Sequence, residues 1–132
     1  MILLDTHVLV WLLSDDRRLG KQTRQVIDRS WAKGEAAVSA ITFWEVAMLH
    51  DKGRLALLTD IGSWRLSLLE EGLVEIAVDG EIGIRATLLP NLHSDPADRL
   101  IIATALKGHQ LATADRRLLK WPGRLSRLRA TQ

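Results

Sequence analysis

The sequence predicts an α/β fold in which helices alternate with short strands around a mostly parallel sheet. Two observations favour it: four short apolar runs are each followed by a helical pattern, and no repeat or flexible linker interrupts them. With 132 residues, 47 % of them hydrophobic, the chain has the size of one ordinary domain. We therefore expect residues 1–132 to form a single domain with an α/β sandwich architecture.

The predicted strands and helices alternate along the chain. Strands are expected at residues 2–4, 36–39, 73–78 and 110–113. Helices are expected at residues 6–12, 21–33, 41–52, 60–71, 79–89, 96–106 and 115–120, and four of them end at Gly34, Gly53, Gly72 and Gly108. After a turn over 121–123, the last basic residues carry no pattern that predicts an element.

Four of the five tryptophans are expected in the core, because they recur at helical spacing among aliphatic residues. They are Trp11, Trp31, Trp44 and Trp64. The inward face of the helix over 41–52 is predicted to carry Ile41, Trp44, Met48 and Leu49. Trp121 is the exception, because it lies in a basic turn where an exposed ring could stack on a base.

The helix that begins at Pro96 carries an acid on its apolar face. Proline suits the first helical position, where its missing N–H costs nothing, and Ser94 or Asp95 can cap the exposed amides. Three apolar residues share the face of Asp98, at +3, +4 and +7: Ile101, Ile102 and Ala105. Two interpretations are open: Asp98 is a functional buried acid, or it stays half solvated in the first turn and favours the helix dipole.

Three further acids occupy comparable positions. Asp5 and Asp115 follow predicted strands, and Glu45 lies one turn into the helix after the strand at 36–39. Parallel strands present their carboxyl ends at one edge of a sheet, so Asp5 and Asp115 are expected to be neighbours there, with Glu45 within reach. Purely structural roles remain open as well. Asp5 would then only cap the helix that follows it, and Glu45 would extend its long side chain to water.

Carboxylates gathered without matching arginines repel one another, and a hard divalent cation is the usual remedy. Oxygen donors favour Mg²⁺ or Mn²⁺ over zinc, which prefers His and Cys. The chain has no cysteine, and its four histidines show no zinc-binding spacing, so we assign no chemistry to the histidines. A Mg²⁺ or Mn²⁺ cluster at a sheet edge suits phosphoryl chemistry, in which the metal activates water and neutralises charge.

The charge of the chain is unevenly distributed. From Lys107 onward seven Lys or Arg residues stand against one acid, a net charge of +6, whereas residues 1–106 carry −4. The basic end, which includes residues 118–132, either meets a polyanion or forms a solvated, partly frayed tail. The sequence shows no signal peptide, no membrane span and no cysteine, and we expect a cytoplasmic protein.

Four segments carry these acids in recognisable motifs: Leu3–His7 with Trp11, Ser39–Ile41 with Trp44–Glu45, His93–Arg99 with Ile101–Ala103, and Ala112–Asp115. In order and spacing they resemble the four acidic motifs of the PIN-domain family, and most of all its VapC-type ribonuclease toxins. The resemblance spans about residues 2–119. It implies a PIN-like α/β/α sandwich and a metal-dependent endoribonuclease that is the toxin of a type II toxin–antitoxin system.

The resemblance also implies roles for individual residues. Four acids are expected to be catalytic and to bind Mg²⁺ or Mn²⁺: Asp5, Glu45, Asp98 and Asp115. The first three match the core metal-binding carboxylates of the family, and the last matches its more variable fourth acid. Thr6 and Thr113 match small polar residues that position acids or water. Asp95 is an additional acid of the third motif, which we interpret mainly as a helix cap.

Basic residues flank two of the acids, namely Arg99 and the pair Arg116 and Arg117. They either hold RNA phosphates or offset the acidic pocket as surface charges. The resemblance further implies a structured RNA such as tRNA as substrate, a homodimer, and a cognate antitoxin. That antitoxin is expected to block the site, for example by lodging an arginine among the acids.

Two other classes of protein are considered. A PIN module that binds RNA or a partner without cutting needs none of the four acids, so their presence argues against it. A haloacid-type phosphatase requires a second Asp at position 7, where His7 stands. A receiver domain requires a paired acidic run before its phosphorylated Asp, and the sequence has none.

Overall fold

The computed structural model describes residues 1–132 and contains five strands and seven helices. The strands are β1 (Ile2–Leu4), β2 (Ala36–Ser39), β3 (Val74–Ile76), β4 (Gln110–Thr113) and β5 (Arg127–Arg129). The helices are α1 (Thr6–Leu13), α2 (Lys21–Ala32), α3 (Ile41–Asp51), α4 (Ile61–Glu70), α5 (Gly80–Thr87), α6 (Pro96–Ala105) and α7 (Arg116–Leu119). Every strand and helix predicted from the sequence is present, and none of the helices is long and apolar enough to cross a bilayer.

The five strands form one sheet in the order β3-β2-β1-β4-β5, and all four pairings are parallel. Strand β1 lies at the centre of the sheet and pairs with β2 along one edge and with β4 along the other. Its side chains alternate between the two faces of the sheet, so Ile2 and Leu4 enter one core and Leu3 enters the other. All three are buried, because helices cover both faces.

The two cores define three layers. On one face of the sheet, apolar residues of α1, α2, α3 and α4 pack together, among them Val8, Ile27, Phe43 and Leu68. On the other face, α5 and α6 supply Ile82, Ala86, Ile101 and Ile102, and Leu118 of α7 joins them. The expected α/β/α sandwich with a parallel sheet is confirmed.

The chain leaves the neighbouring strands β1 and β4 toward opposite faces of this sandwich. After β1 it enters α1, whose Val8 lies in the first core, and after β4 it enters α7, whose Leu118 lies in the second. Such a divergence opens a crevice outside the carboxyl ends of the two strands, where α/β proteins bind ligands. The amide of Asp5 donates to the carbonyl of Ala112 at 3.0 Å, which brings the two strand ends together at this crevice.

Helix α6 has the predicted orientation. Asp95 is its N-cap and accepts a 3.2 Å hydrogen bond from the amide of Asp98, so Asp95 rather than Ser94 fills the capping role. Ile101, Ile102 and Ala105 are almost completely buried. The apolar stripe thus turns Asp98 inward, and only 9 % of this residue is exposed.

Helix α3 has a different orientation from the predicted one. Its buried residues are Thr42, Phe43 and Val46, whereas Trp44 is 54 % exposed, so the expectation of a core Trp44 is wrong. Apolar residues occur on every side of this helix, and the spacing alone therefore did not define a single inward face. The rotation that the structure has still brings Glu45 to the crevice.

The carboxyl-terminal segment forms a strand and packs against the core, which disagrees with the alternative of a frayed tail. Strand β5 pairs with β4 over Leu111 to Thr113, and its basic residues suit an exposed edge strand. Trp121 is buried, with 6 % exposed, and its indole N–H donates to the carbonyl of Pro90 at 2.8 Å. The ring is therefore part of the core and not an exposed platform for a base. Three residues with one apolar side chain were too short a pattern for predicting β5.

Candidate active site

All four predicted acids line one cavity of about 260 Å³ at the crevice between β1 and β4. Asp5 and Asp115 come from the ends of these strands, Glu45 from α3 and Asp98 from the first turn of α6. Four elements that are distant in sequence thus contribute one carboxylate each. The convergence expected from the strand–helix order is present in the structure.

Asp5 is the most buried of these acids, with 3 % of the residue exposed. Its Oδ1 accepts a 2.8 Å hydrogen bond from the amide of Thr6, and its Oδ2 accepts a 2.7 Å hydrogen bond from the hydroxyl of Thr113. The residue caps α1 and lines the cavity at the same time. The two interpretations left open by the sequence are therefore compatible.

Glu45 is held by a chain of hydroxyls. Thr6 Oγ1 donates to Glu45 Oε1 at 2.5 Å and lies 3.0 Å from Thr42 Oγ1. Since the single hydroxyl proton of Thr6 is given to the carboxylate, Thr42 is the donor in the second bond. Thr6 therefore contacts one of the four acids directly, and Thr42 is a member of this chain of hydroxyls that the sequence did not single out.

Burial raises the pKa of Glu45 to about 7, against a partly opposing hydrogen bond from Thr6. The negative charges of Asp5, Asp98 and Asp95 act in the same direction as burial. Burial likewise raises the pKa of Asp98, the hydrogen bond with His93 opposes it, and the nearby carboxylates of Asp5, Asp95 and Asp115 add to it. The cavity therefore concentrates negative charge that its own side chains only partly compensate.

Asp98 has two cationic or polar partners. His93 Nε2 lies 2.6 Å from Asp98 Oδ2, and an ionised carboxylate accepts this bond from the Nε2–H form of the ring. Arg117 Nη2 lies 3.4 Å from the same oxygen. The sequence analysis assigned no chemistry to the histidines, because His93 follows no ligand spacing and only the loop before α6 brings it to the acid.

Asp115 is the N-cap of α7 and pairs with Arg117. Its Oδ1 accepts a 2.8 Å hydrogen bond from the amide of Arg117, and its Oδ2 lies 3.2 Å from Arg117 Nη2. Burial raises the pKa of Asp115, but the hydrogen bonds and the positive charge of Arg117 outweigh it and leave the pKa below its ordinary value. Arg117 therefore pairs with two of the acids, in agreement with the interpretation of this residue as a charge that offsets the acidic pocket.

Thr113 connects two of the carboxylates. Its hydroxyl donates to Asp5 and accepts a 3.0 Å hydrogen bond from the amide of Asp115. His7, a further residue of the cavity wall, accepts a 3.0 Å bond from the amide of Ala114 through Nε2. Its Nδ1 lies 3.6 Å from Asp5 Oδ2. These contacts hold the turn after β4 against the start of α1.

The three arginines interpreted as RNA contacts have different environments. Arg99 donates from Nε, Nη1 and Nη2 to four main-chain carbonyls within 3.1 Å, those of Ala86, Leu89, Leu92 and His93. Its guanidinium therefore ties the loop between α5 and α6 to α6. Arg117 is paired with acids, and Arg116 is exposed at the start of α7. Arg54, which the sequence analysis did not select, is an exposed arginine that lines the cavity.

The donor set of the cavity fits a hard divalent cation. Four carboxylates and the hydroxyl of Thr6 present only oxygen atoms, and burial, reinforced by the neighbouring carboxylates, raises the pKa values of Glu45 and Asp98. No three His, Asp or Glu side chains already stand at the geometry that a bound metal ion requires. Asp98 and Asp115 instead engage His93 and Arg117.

Comparisons with known proteins agree with this geometry. The sequence model of the PIN domain matches residues 2–123. Ribonuclease VapC22 of Mycobacterium tuberculosis is 38 % identical over 119 residues, which cover 89 % of this chain and 88 % of that protein. The matched region includes most of the chain that forms the sheet and the cavity.

Solved structures show the same fold. A toxin–antitoxin complex from Klebsiella pneumoniae contains a chain that matches with a TM-score of 0.65 and 22 % identity, covering 98 % of both chains. VapBC2 from Rickettsia felis, bound to a DNA fragment from its promoter, matches with a TM-score of 0.70 and 16 % identity, covering 97 % of this chain and 98 % of that one. The family match, the 38 % identical relative and the shared fold show that the chain belongs to the PIN domain family and is related to the VapC ribonucleases.

Proposed function

We propose that this protein is a metal-dependent endoribonuclease and the toxin of a VapBC-like toxin–antitoxin pair. The observation that carries the proposal is the convergence of Asp5, Glu45, Asp98 and Asp115 on one cavity, in a chain 38 % identical to a ribonuclease. Binding alone does not require four partly buried acids, because each costs free energy when it loses water. A metal-dependent hydrolytic centre requires such acids, and therefore accounts for their burial.

Asp5, Glu45, Asp98 and Asp115 would hold Mg²⁺ or Mn²⁺ in this proposal. The bound cation supplies a Lewis acid that activates water and neutralises the charge on the scissile phosphate of an RNA phosphodiester. Within the chain, Thr113 fixes Asp5 relative to Asp115, and the hydroxyl of Thr6 holds Glu45. His93 holds the carboxylate of Asp98, and the cap Asp95 accepts the amide of Asp98. Cleavage leaves a 5′-phosphate and a 3′-hydroxyl.

Arg54 is the side chain that we assign to the RNA backbone. It is exposed, lines the cavity, and has no carboxylate within salt-bridge distance, whereas Arg117 is engaged by two acids and Arg99 by carbonyls. A phosphate next to the scissile one would meet this charge first. Basic residues at such a rim supply affinity without sequence selection.

The remaining assignments follow the same line. We propose that residues 1–132 act as one domain in the cytoplasm, that two copies form a homodimer, and that a cognate antitoxin protein covers the acidic cavity. The solved relatives include toxin–antitoxin complexes, which supports the last assignment. A structured RNA, such as tRNA, is the proposed substrate. Co-expression and co-purification with a candidate antitoxin protein, and light scattering of the free protein, test the two assemblies.

The test of the nuclease compares the wild type with Asp98→Asn and Asp5→Asn on total RNA and on tRNA. Each reaction is run with Mn²⁺, with Mg²⁺ and with EDTA, and the RNA ends are read by sequencing. Asp28→Asn is the matched control, because Asp28 is an exposed acid of α2 outside the cavity. We expect discrete, metal-dependent cuts from the wild type and the control only.

A folded wild type, free of antitoxin, that cuts no RNA with either metal would contradict the proposal. In that case the chain is better described as a PIN module that binds RNA or a partner without cutting. Cuts that persist in EDTA, or in Asp98→Asn, would contradict the assigned residues instead.

A further inference from the structure

Arg117 places a positive charge between two of the carboxylates of the cavity. Its Nη2 lies 3.4 Å from Asp98 Oδ2 and 3.2 Å from Asp115 Oδ2, so a single nitrogen serves one oxygen of each acid. The two acids come from α6 and from the end of β4. The guanidinium therefore bridges two elements of the cavity wall.

The bridge follows from the short distance along the chain between Asp115 and Arg117. Asp115 caps α7 and accepts the amide of Arg117, which turns the arginine side chain back over the carboxylate. The neighbouring acids raise the pKa of Arg117, so the side chain is a permanent cation there. Its side chain is 59 % exposed, and it can therefore leave the acids without the loss of any core contact.

We propose that Arg117 is a resident counter-cation of the metal-free cavity, which a divalent cation must displace. This inference rests on the proposed metal dependence of the site. Arg117 Nη2 already lies against Asp98 Oδ2 and Asp115 Oδ2, so a divalent cation held by either acid would compete with the guanidinium for these oxygens. The two positive charges would also repel each other. Arg117 thus lowers the affinity for the metal and stabilises the metal-free protein.

The structure indicates that Arg117 competes with a metal ion for Asp98 and Asp115, and that it is not needed to hold these two acids in place. Groups other than the guanidinium already hold the two acids, since the His93 ring bonds the Asp98 carboxylate and the main-chain amide of Arg117 donates to Asp115. Loss of the arginine therefore leaves both carboxylates in place with their charge uncompensated. Exposed ion pairs change an equilibrium only about three- to fivefold, and an effect of that size on metal affinity is expected.

The experiment measures binding of Mn²⁺ and Mg²⁺ to wild type, Arg117→Gln and Arg116→Gln by titration calorimetry at constant ionic strength. Arg116 is the matched control, because it is the adjacent exposed arginine and contacts none of the acids. We expect Arg117→Gln to bind both metals about three- to fivefold more tightly than wild type and Arg116→Gln to stay within about twofold. Without metal, Arg117→Gln should melt at a lower temperature, and Mn²⁺ should raise that temperature more than in the wild type.

A second readout follows the side chain itself. In ¹⁵N spectra the Nε–H signal of Arg117, identified by its absence in Arg117→Gln, should shift when Mg²⁺ is added, while the signal of Arg116 should not. Equal or weaker metal binding by Arg117→Gln, an equal gain in Arg116→Gln, or an unmoved Arg117 signal at saturating Mg²⁺ would each overturn the inference.

The outcomes also separate this inference from the proposed function. If Arg117→Gln and wild type bind metal equally while the wild type cuts RNA in a metal-dependent way, only the role of Arg117 is refuted. If neither protein binds Mn²⁺ or Mg²⁺ and the wild type cuts no RNA, the inference and the proposed nuclease fail together.

Discussion

The hydroxyl of Thr113 donates a 2.7 Å hydrogen bond to Asp5 Oδ2, although 108 residues separate the two in the chain. Thr113 is completely buried, and the same hydroxyl accepts the amide of Asp115. One side chain at the end of β4 thus sets the position of the acid at the end of β1 relative to the acid that caps α7. The parallel pairing of β1 and β4 brings Thr113 next to Asp5.

Thr113→Val tests this connection, because valine fills the same volume without the hydroxyl. We expect the free energy of unfolding to fall by about 1–3 kcal/mol, since a buried carboxylate and an amide each lose a partner. RNA cleavage should fall about tenfold, because Asp5 is no longer fixed. Chemical denaturation and single-turnover cleavage measure the two effects.

Thr104→Val is the control for Thr113→Val. Thr104 is equally buried, and its hydroxyl donates to the carbonyl of Leu100 within α6, away from the cavity. A stability loss without a loss of cleavage is expected there. Equal losses of cleavage in both variants would show that Thr113 acts through stability alone.

The raised pKa of Glu45 predicts a pH-dependent stability of the metal-free protein. The carboxyl keeps its proton up to about pH 7 in the folded state and releases it near pH 4.5 in the unfolded state. The folded state binds more protons between these values, so stability falls as the pH rises through this window. Glu45→Gln does not titrate, and at pH 8 it should exceed the wild type by about 2 kcal/mol.

Denaturation curves in EDTA from pH 5 to pH 8 measure the effect of Glu45→Gln. The difference between the variant and the wild type should shrink toward pH 5. Glu70→Gln, at the exposed end of α4, should follow the wild type at every pH. A constant difference for Glu45→Gln over the whole range would argue against a raised pKa.

The contacts of Arg99 predict a structural role. Arg99→Lys keeps the charge but cannot reach four carbonyls at once, because an ammonium lacks the planar fork of a guanidinium. We expect an unfolding free energy lower by about 2 kcal/mol. RNA affinity, measured below the melting temperature, should stay unchanged. Arg85→Lys, on the exposed side of α5, should have no effect on either quantity. If Arg99→Lys were fully stable but bound RNA weakly, Arg99 would instead be a contact of the RNA phosphates.

Arg54→Gln tests the proposed contact with the RNA backbone. Binding of RNA to Asp98→Asn in EDTA, with and without Arg54→Gln, separates affinity from cleavage. Loss of one phosphate contact should weaken binding and reduce the slope of log K against log salt by about 0.7–1. Arg85→Gln removes the same charge from an exposed site outside the cavity and should leave the slope nearly unchanged. Equal slopes for Arg54→Gln and its parent would contradict the contact.

Local signals explain why much of the fold was predictable. The strands around Leu3 and Ala112 are short apolar runs, and the stripe from Asp98 to Ala105 repeats at helical spacing, so neighbouring residues specify both. The same signals failed for α3, whose apolar residues surround the helix and left Trp44 on the wrong side. They also failed for β5, where only Leu128 is apolar.

By itself the sequence determined the order of strands and helices, the capping acids, and the arrival of four carboxylates at one edge of the sheet. These features depend on residues within a few positions of one another and on the general geometry of parallel strands. Only the tertiary structure decided which side chains pair with those acids: His93 contacts Asp98, and Arg117 lies between Asp98 and Asp115. Such partnerships depend on helix rotation and on loop paths, because side chains brought together by the whole fold leave no regular spacing in the sequence.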